Sequence, residues 1–320
     1  MRLPTDPAAI ERAAELLRAG GLVAFPTETV YGLGARADDD AAVGRIFALK
    51  GRPADNPTIV HVASAEAAFA LVDSPSDAAR SLAQAFWPGP LTLVMRAKPG
   101  AVSAVARAGG ATVALRVPAH PVARALLLAA GVPVAAPSAN RSTAISPTTA
   151  EHVEKSLGGG VLVLDAGPTG FGIESTIVDV TSSLAVVLRR GSVSREEIAR
   201  VAGGARDAAD RVEVEGAPMR APGAMARHYA PRVPLLLTAL PSAAAFGSGA
   251  GYLLLEGAIA PSDAAAVRFS PAEPAAYAAL LYASLHALED AGVDRIVVQE
   301  PPVTPEWAAV NDRLRRASAR

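Results

Sequence analysis

Short apolar runs alternate along this chain with stretches in which apolar residues recur at helical spacing. Asp6-Pro7 opens a helix with Glu11 and Glu15 in its early turns, and Gly20-Gly21 closes it. Residues 22–25 then read as a short buried strand. Asp39 or Asp40 caps a second helix, which carries Val43, Ile46, Phe47 and Leu49 on one side and ends at Gly51. Strand-like runs follow at 58–62, 91–95, 112–117, 132–136, 161–164, 175–180 and 185–188. Helical patterns fall between several of them, at 65–72, 77–86, 121–130 and 149–156. Strands interleaved with helices, with some hairpin-like neighbours, predict an α/β layer structure with a mixed sheet.

Near Gly203 the periodicity fades. From there to Pro234 the chain is rich in Gly, Pro, Arg and Ala and reads as a linker. A second α/β pattern follows, with strands near 235–237, 252–255 and 295–298 and helices near 275–291 and 305–317. We therefore expect three parts: residues 1–205, a linker at 206–234, and a small α/β unit at 235–320. The biased run 242–251 is read as a loop, and no internal repeat is present.

Composition narrows the function classes. With 320 residues, 51% hydrophobic and 19% charged, the chain is globular and long enough for two cores. A formal net charge of −1 gives no global basic field for nucleic acid. The absence of cysteine excludes disulfides, thiolate zinc sites and cysteine nucleophiles, and fits a cytoplasmic protein. Acidic residues interrupt the first apolar stretch, unlike a signal peptide, and runs such as 123–130 are too short to span a bilayer. No membrane partner is expected.

The richest chemistry lies in residues 21–62. Pro26-Thr-Glu-Thr-Val-Tyr-Gly-Leu-Gly34 sets two hydroxyls and a carboxylate at a strand end, fit for a small polar ligand or for a self-satisfied turn. Lys50 and Arg52 stand two residues apart at a helix end, with Arg52-Pro53 and Asn56-Pro57 stiffening the loop. Phosphate binding is favoured over a plain interaction with the helix dipole. Only Lys50, Lys98 and Lys155 are lysines, a weak sign that a compact ammonium is wanted at position 50. His61, alone in an apolar run, reads first as a packed strand residue. Ser138, Asn140 and Ser146 offer donors after a strand, although Ser146-Pro147 equally fits a helix cap. Thr112 and Arg116 share a strand face, and Arg116 needs either a ligand carboxylate or an internal ion pair. Glu174-Ser175-Thr176 and Arg189-Arg190-Gly191 have the same character. Arg227-His228-Tyr229 is an unusual cluster for a linker and suits a segment folded over a site. Neither a Walker loop nor a dinucleotide fingerprint occurs.

Taken in order and spacing, PTETVYGLG, KGRPADNPTIVHV, PSAN, ESTIVD, LRRG and PGAMARHYAP make the whole chain resemble the threonylcarbamoyl-AMP synthases. The resemblance is to their long form: a YrdC-like twisted, mixed open sheet with helices, a linker that serves as an active-site lid, and a smaller Rossmann-like C-terminal domain. It implies synthesis of L-threonylcarbamoyl-AMP and pyrophosphate from L-threonine, bicarbonate and ATP, a nucleotidyltransferase reaction. The product would feed N6-threonylcarbamoyladenosine formation beside the tRNA anticodon (position 37), completed by a separate tRNA threonylcarbamoyl transferase. By position, Thr29, His61, Arg116, Ala136 and Ser175 resemble threonine-site residues, Ala136 through its backbone. Arg52, Asn56, Thr112, Ser138, Asn140, Ser146, Arg189 and Tyr229 resemble the ATP site, with Lys50 and Arg52 as the catalytic cations. Mg2+ would be held mainly by the phosphates, because no compact acidic cluster is visible. The resemblance leaves room for a weak tRNA contact. The rivals are a non-catalytic RNA-binding module on the same fold, which would need a basic patch, and a carbamoyl-transferring maturation factor, whose cysteine motifs this chain lacks.

Overall fold

The computed structural model describes residues 1–208, 222, 225–239, 241 and 246–319. The first part of the chain builds one wide sheet from β1 (Arg2–Leu3), β2 (Val23–Phe25), β3 (Gly32–Arg36), β4 (Ile59–His61), β5 (Leu91–Arg96), β6 (Thr112–Arg116), β7 (Val134–Ala135), β8 (Leu162–Leu164), β9 (Thr176–Asp179), β10 (Ala185–Arg189) and β11 (Ala205–Asp207). The spatial order is β1-β8-β2-β3-β7-β4-β6-β5-β9-β10-β11. Parallel pairs such as β4/β6 alternate with antiparallel ones such as β5/β6 and β9/β10, so the sheet is mixed. Its helices are α1 (Pro7–Arg18), α2 (Asp40–Lys50), α3 (Ala65–Phe69), α4 (Asp77–Phe86), α5 (Pro121–Ala130), α6 (Ala150–Leu157) and α7 (Arg195–Ala202).

Alternation along the strands sorts side chains onto two faces. Val60, Leu93, Leu115 and Val178 enter the largest core, together with Ile46 and Phe47 of α2, Leu82 of α4 and Ile198 of α7. On the opposite face, Val23, Phe25, Val134 and Ala136 pack against α1 and α5. On the same face Ile59, Val94, Ala114 and Ile177 of β4, β5, β6 and β9 form a separate small buried cluster, to which no helix contributes among the described residues. The candidate site lies beside it, with Ile59 in its lining.

The second part is a four-stranded, all-parallel sheet ordered β12 (Leu235–Thr238), β15 (Arg295–Gln299), β13 (Ala250–Leu255), β14 (Ala266–Ser270). Its helices are α8 (Pro274–Asp290) and α9 (Ala308–Ser318), the latter entered through a 3-10 turn at Pro305–Trp307. Helix α8 buries Tyr277, Leu281, Tyr282, Leu285 and His286 around much of its circumference. It is covered on one side by its own sheet and on the other by the first part of the chain. Val30, Ile145 and Ile173 of the first part share its hydrophobic cluster. Gly172 permits the approach: its φ is +71°, and a Cβ there would meet the α8 backbone at 2.5 Å.

Several local expectations change. Residues 32–36, for which no strand was expected, form β3; its glycines fit a close approach, since a side chain at Gly34 would strike Phe25 and Val134 at 2.8 Å. Asp39, not Asp40, accepts the first amides of α2. Ser146 does not cap a helix; α6 starts at Ala150, behind the cap Thr149. The region around Gly203 is more ordered than expected, with α7 opened by a Ser194/Glu197 capping box and β11 paired to β10. Of the loop read at 242–251, residues 242–245 lie outside the described residues and Ala250-Gly251 already belongs to β13. Most of the linker expected at 206–234 also lies outside them.

Candidate active site

A cavity beside the small cluster of Ile59, Val94, Ala114 and Ile177 opens to solvent and, with its solvent-open part included, holds about 540 Å3 of free space. Thr29, Arg52, His61, Arg116, Ala136, Ser138, Ser175, Arg189 and Tyr229 all line it. Parallel register explains part of this convergence. His61 and Arg116 are direct partners on β4 and β6, so their side chains emerge side by side. Ser175 precedes β9 and Arg189 ends β10, and the antiparallel β9/β10 pair brings those two ends together.

Buried arginines dominate the electrostatics, and they are of two kinds. Arg116 has a carboxylate: its Nη2 lies 2.7 Å from Glu28 Oε1, while Nη1 donates to Thr29 Oγ1 at 2.9 Å and Nε to Gly89 O at 3.2 Å. The Glu28 contact is out of line with the N–H, and both Nη2 and Oε1 keep unused hydrogen-bonding capacity. Burial, the largest single effect, would raise the Glu28 carboxyl, but the Arg116 charge together with hydrogen bonds from Arg116 and backbone amides makes the net shift downward. Arg189 differs. Its donors go to Ser175 O at 3.0 and 3.1 Å, Ser175 Oγ at 3.2 Å and Pro222 O at 3.3 Å, all neutral. Arg52 likewise donates to the backbone oxygens of Asn56 (2.9 Å) and Pro57 and to the Asn56 amide oxygen. Burial, with Arg189 nearby, lowers Arg52 to about 10, which still leaves it charged at neutral pH. Two guanidinium groups therefore face the cavity, and no carboxylate pairs with either among the described residues.

Glu174, at the cavity wall, is fully engaged. It accepts from Ser146 Oγ at 2.6 Å, from Tyr282 OH at 3.0 and 3.2 Å, and from Arg313 Nε at 2.7 Å. Burial alone would raise its carboxyl, yet Arg313 and Arg189 hold it at about 2. His61 is neutral: burial and the neighbouring Arg116 push it down to about 3, and its Nδ1 has no partner. Tyr229 is buried with its hydroxyl unpartnered and its φ at +61°, a left-handed conformation that costs a tyrosine about 1–3 kcal/mol.

Other predicted site residues stand behind this lining. Lys50, expected to face phosphates, is buried and donates to the carbonyl oxygens of Ser138 and Asn140. It braces the loop that presents Ser138, and burial followed by the Arg52 charge lowers its pKa. Asn56 is buried and holds Arg52. Asn140 bonds the carbonyl oxygens of Arg141 and Ala144, leaving its Oδ1 unpartnered. Ser146 is committed to Glu174, and Thr112 sits half-buried at the start of β6, away from the lining. Conversely, Thr27, Glu174 and His228 line the cavity. All three stand inside motifs already singled out, at PTETVYGLG, ESTIVD and PGAMARHYAP, so the signal was present although no role was attached. Tyr282 and Arg313, which fasten Glu174, carry no local signal.

Among the described residues no group of three or more His, Asp or Glu side chains converges on a metal position. The carboxylates nearest the cavity are committed to Arg116 and Arg313. This donor set does not suit a resident divalent ion.

Comparison with known proteins agrees along the whole chain. Residues 15–191 match the Sua5/YciO/YrdC family model, described as "Telomere recombination", and residues 193–319 match that of the threonylcarbamoyl-AMP synthase C-terminal domain. The chain is 39% identical to the threonylcarbamoyl-AMP synthase of Bacillus subtilis over 328 residues, covering 99% of this chain and 94% of that protein. It is 48% identical to that of Pyrococcus abyssi over 231 residues, covering 71% and 67%. The crystal structure of P. abyssi Sua5 complexed with L-threonine matches with a TM-score of 0.90 at 38% identity, covering 99% of this chain and 97% of that one. Escherichia coli YciO, at 24% identity and a TM-score of 0.52 over 60% of this chain and 94% of its own, shares the fold.

Proposed function

This chain belongs to the Sua5/YciO/YrdC family in its threonylcarbamoyl-AMP synthase form, and from that membership we propose the reaction it carries out at this cavity. It condenses L-threonine, bicarbonate and ATP to L-threonylcarbamoyl-AMP and pyrophosphate, acting as a nucleotidyltransferase. The observation that carries this reading is the pair Arg52 and Arg189: two guanidinium groups aimed at one cavity, hydrogen-bonded to neutral oxygens and, among the described residues, in direct ion pair with no carboxylate. Buried charge compensated only from a distance is costly, and a triphosphate supplies a direct partner.

The chemistry follows from charge and position. The threonine amine attacks the carbon of bicarbonate, water leaves, and a carbamate forms. A carbamate oxygen then attacks the α-phosphorus of ATP, the bond to the β-phosphate bridging oxygen breaks, and pyrophosphate departs. Arg116 meets the threonine carboxylate through its under-used Nη2, with Thr29 and neutral His61 beside it. Arg52 and Arg189 neutralise charge that builds on the phosphates, and Ser138 and Ser175 add hydroxyl donors. Nothing here requires a protein nucleophile; orientation and preorganised charge carry the rate. Mg2+ arrives as part of the Mg–ATP substrate, on the phosphate oxygens. Lys50 serves by shaping the 138–140 loop and not by touching phosphate, a departure from its expected role.

The product serves tRNA N6-threonylcarbamoyladenosine formation through a downstream transferase, in the cytoplasm. Among the described residues no helix is long and apolar enough to cross a membrane. The test is to incubate the purified protein with Mg–ATP, L-threonine and 13C-bicarbonate and to identify the product by mass. A threonylcarbamoyl-AMP ion carrying one 13C is expected; AMP alone, or no label, would contradict the assignment.

A further inference from the structure

The last helix, α9, does more than close the core of the C-terminal unit. Arg313 and Arg316 are three residues apart and so lie on one side of it. Arg313 is wholly buried. Its Nε donates to Glu174 Oε2 at 2.7 Å, Nη2 to Arg190 O at 2.9 Å and Nη1 to Asp312 Oδ2 at 2.8 Å. Its guanidinium carbon stands 5.1 Å from the centre of the Tyr229 ring. One turn on, Arg316 Nη1 donates to Met225 O at 2.7 Å, and Arg316 O accepts from His228 N at 3.2 Å. Asp312 steadies both arginines, with Arg316 Nε at 3.2 and 3.3 Å from its carboxylate oxygens.

Segment 225–229 is thus gripped at Met225, at His228 and over the ring of Tyr229, all from one helix. Its other side faces the cavity, where His228 and Tyr229 form part of the wall and Met225 Sδ lies 3.5 Å from Asn56 Nδ2. Tyr282 of α8 adds a stacked ring at 5.8 Å from Tyr229, and Ala230 N bonds Thr143 O at 2.8 Å. A tyrosine with φ +61° does not keep that conformation by itself; surrounding contacts must impose it.

We infer that Arg313 and Arg316 are positioning residues of the active site, through which the C-terminal unit holds Tyr229 over the anion-binding arginines. Arg313 acts at two points of the wall at once, on Tyr229 and on Glu174. The C-terminal unit is in this sense a structural part of the active site. The inference rests on the reaction proposed above for its kinetic readout but not for its structural one.

Arg316→Met is the first variant, because Arg316 is only partly buried and its loss leaves the Arg313–Glu174 pair intact. Amide exchange at His228 and Ala230 should accelerate by about tenfold or more, while β12, β13 and β15 keep their protection. The kcat/KM for threonine-dependent pyrophosphate release should fall by about tenfold, and Arg316→Lys, which can still donate to Met225 O, should recover part of it. Arg313→Lys, which retains a charge for Glu174, should show the same local loosening. Unchanged exchange at His228 and Ala230, or a kcat/KM within about twofold of wild type despite faster exchange, would overturn the inference. A wild-type protein without turnover, but with the exchange pattern as expected, would sink the assigned reaction and leave the grip standing.

Discussion

The two sheets approach the same cavity in opposite ways. The wide mixed sheet builds it from strand ends, so that His61, Arg116, Ser175 and Arg189 converge through β4, β6, β9 and β10. Among the described residues, no strand of the small parallel sheet lines the cavity. Its contribution comes from helices, as Tyr282 and Arg313 fasten Glu174 while Arg313 and Arg316 hold segment 225–229. One unit therefore supplies the charges a ligand would meet, and the other fixes how they are presented. The lesson is electrostatic: Arg313, paired with two carboxylates, builds the wall, while Arg52 and Arg189, hydrogen-bonded to neutral oxygens, and the under-used Nη2 of Arg116 are left for anions.

The seam between the units can be broken at its most buried point. Glu174→Gln should destabilise the protein by about 3 kcal/mol in urea denaturation, because it removes the buried carboxylate partner of Arg313 and leaves only the partly exposed Asp312 beside that buried charge. Adding Arg313→Met should restore much of that loss without restoring turnover. If both variants were as stable as wild type, the two units would not be coupled through this pair.

Within the first unit, Arg52→Ala should leave the unfolding midpoint nearly unchanged. It should lower kcat/KM for ATP by about 100-fold, or about 2.7 kcal/mol. The reverse pattern, lost stability with intact turnover, would assign Arg52 to the wall and blur the distinction between the arginines.

Acid should loosen both sides together. His61, His228 and His286 are held down to about 3, chiefly by burial. Between pH 6.5 and 3 the unfolded chain takes protons that the native protein refuses. Stability therefore falls with pH, by up to about 1.4 kcal/mol per unit for each histidine. Glu174, held at about 2, acts in the same direction, its contribution being lost as pH falls from the ordinary carboxylate range through that value. His286→Leu, at the seam, should flatten the slope between pH 6 and 5 by about 1 kcal/mol in urea titrations. An unchanged slope would show that this histidine is not buried neutral. The smallest effect belongs to Lys155, whose ion pairs with Glu289 and Asp290 join the units at the surface. Lys155→Ala should cost less than about 1 kcal/mol and leave turnover unchanged.

Much of the first unit was legible because its signals are local. Helix caps and buried strands follow from residues close together in sequence, whereas grouping Thr29, Arg52, His61, Ser138 and Arg189, which lie far apart along the chain, rested on the family resemblance. Strand β3 escaped notice because its glycines lower strand propensity while meeting a packing need that only the folded sheet reveals. Helix α7 was missed although its capping box, Ser194 to Glu197, is written in the chain. Lys50 is ambiguous in sequence because a cation at a helix end looks the same whether it faces phosphate or, as its hydrogen bonds show, two carbonyl oxygens. The second unit's part in the site was illegible for a different reason. Tyr282 and Arg313 lie 108 and 139 residues from the carboxylate they serve, and no local pattern encodes such a pairing.

The most direct measurement of the central claim is pyrophosphate release from Mg–ATP and bicarbonate, with and without L-threonine, by the full chain. The account predicts release that depends on threonine and that serine supports less well. Well-folded protein that releases no more pyrophosphate with threonine than without it would contradict the reaction proposed for this cavity.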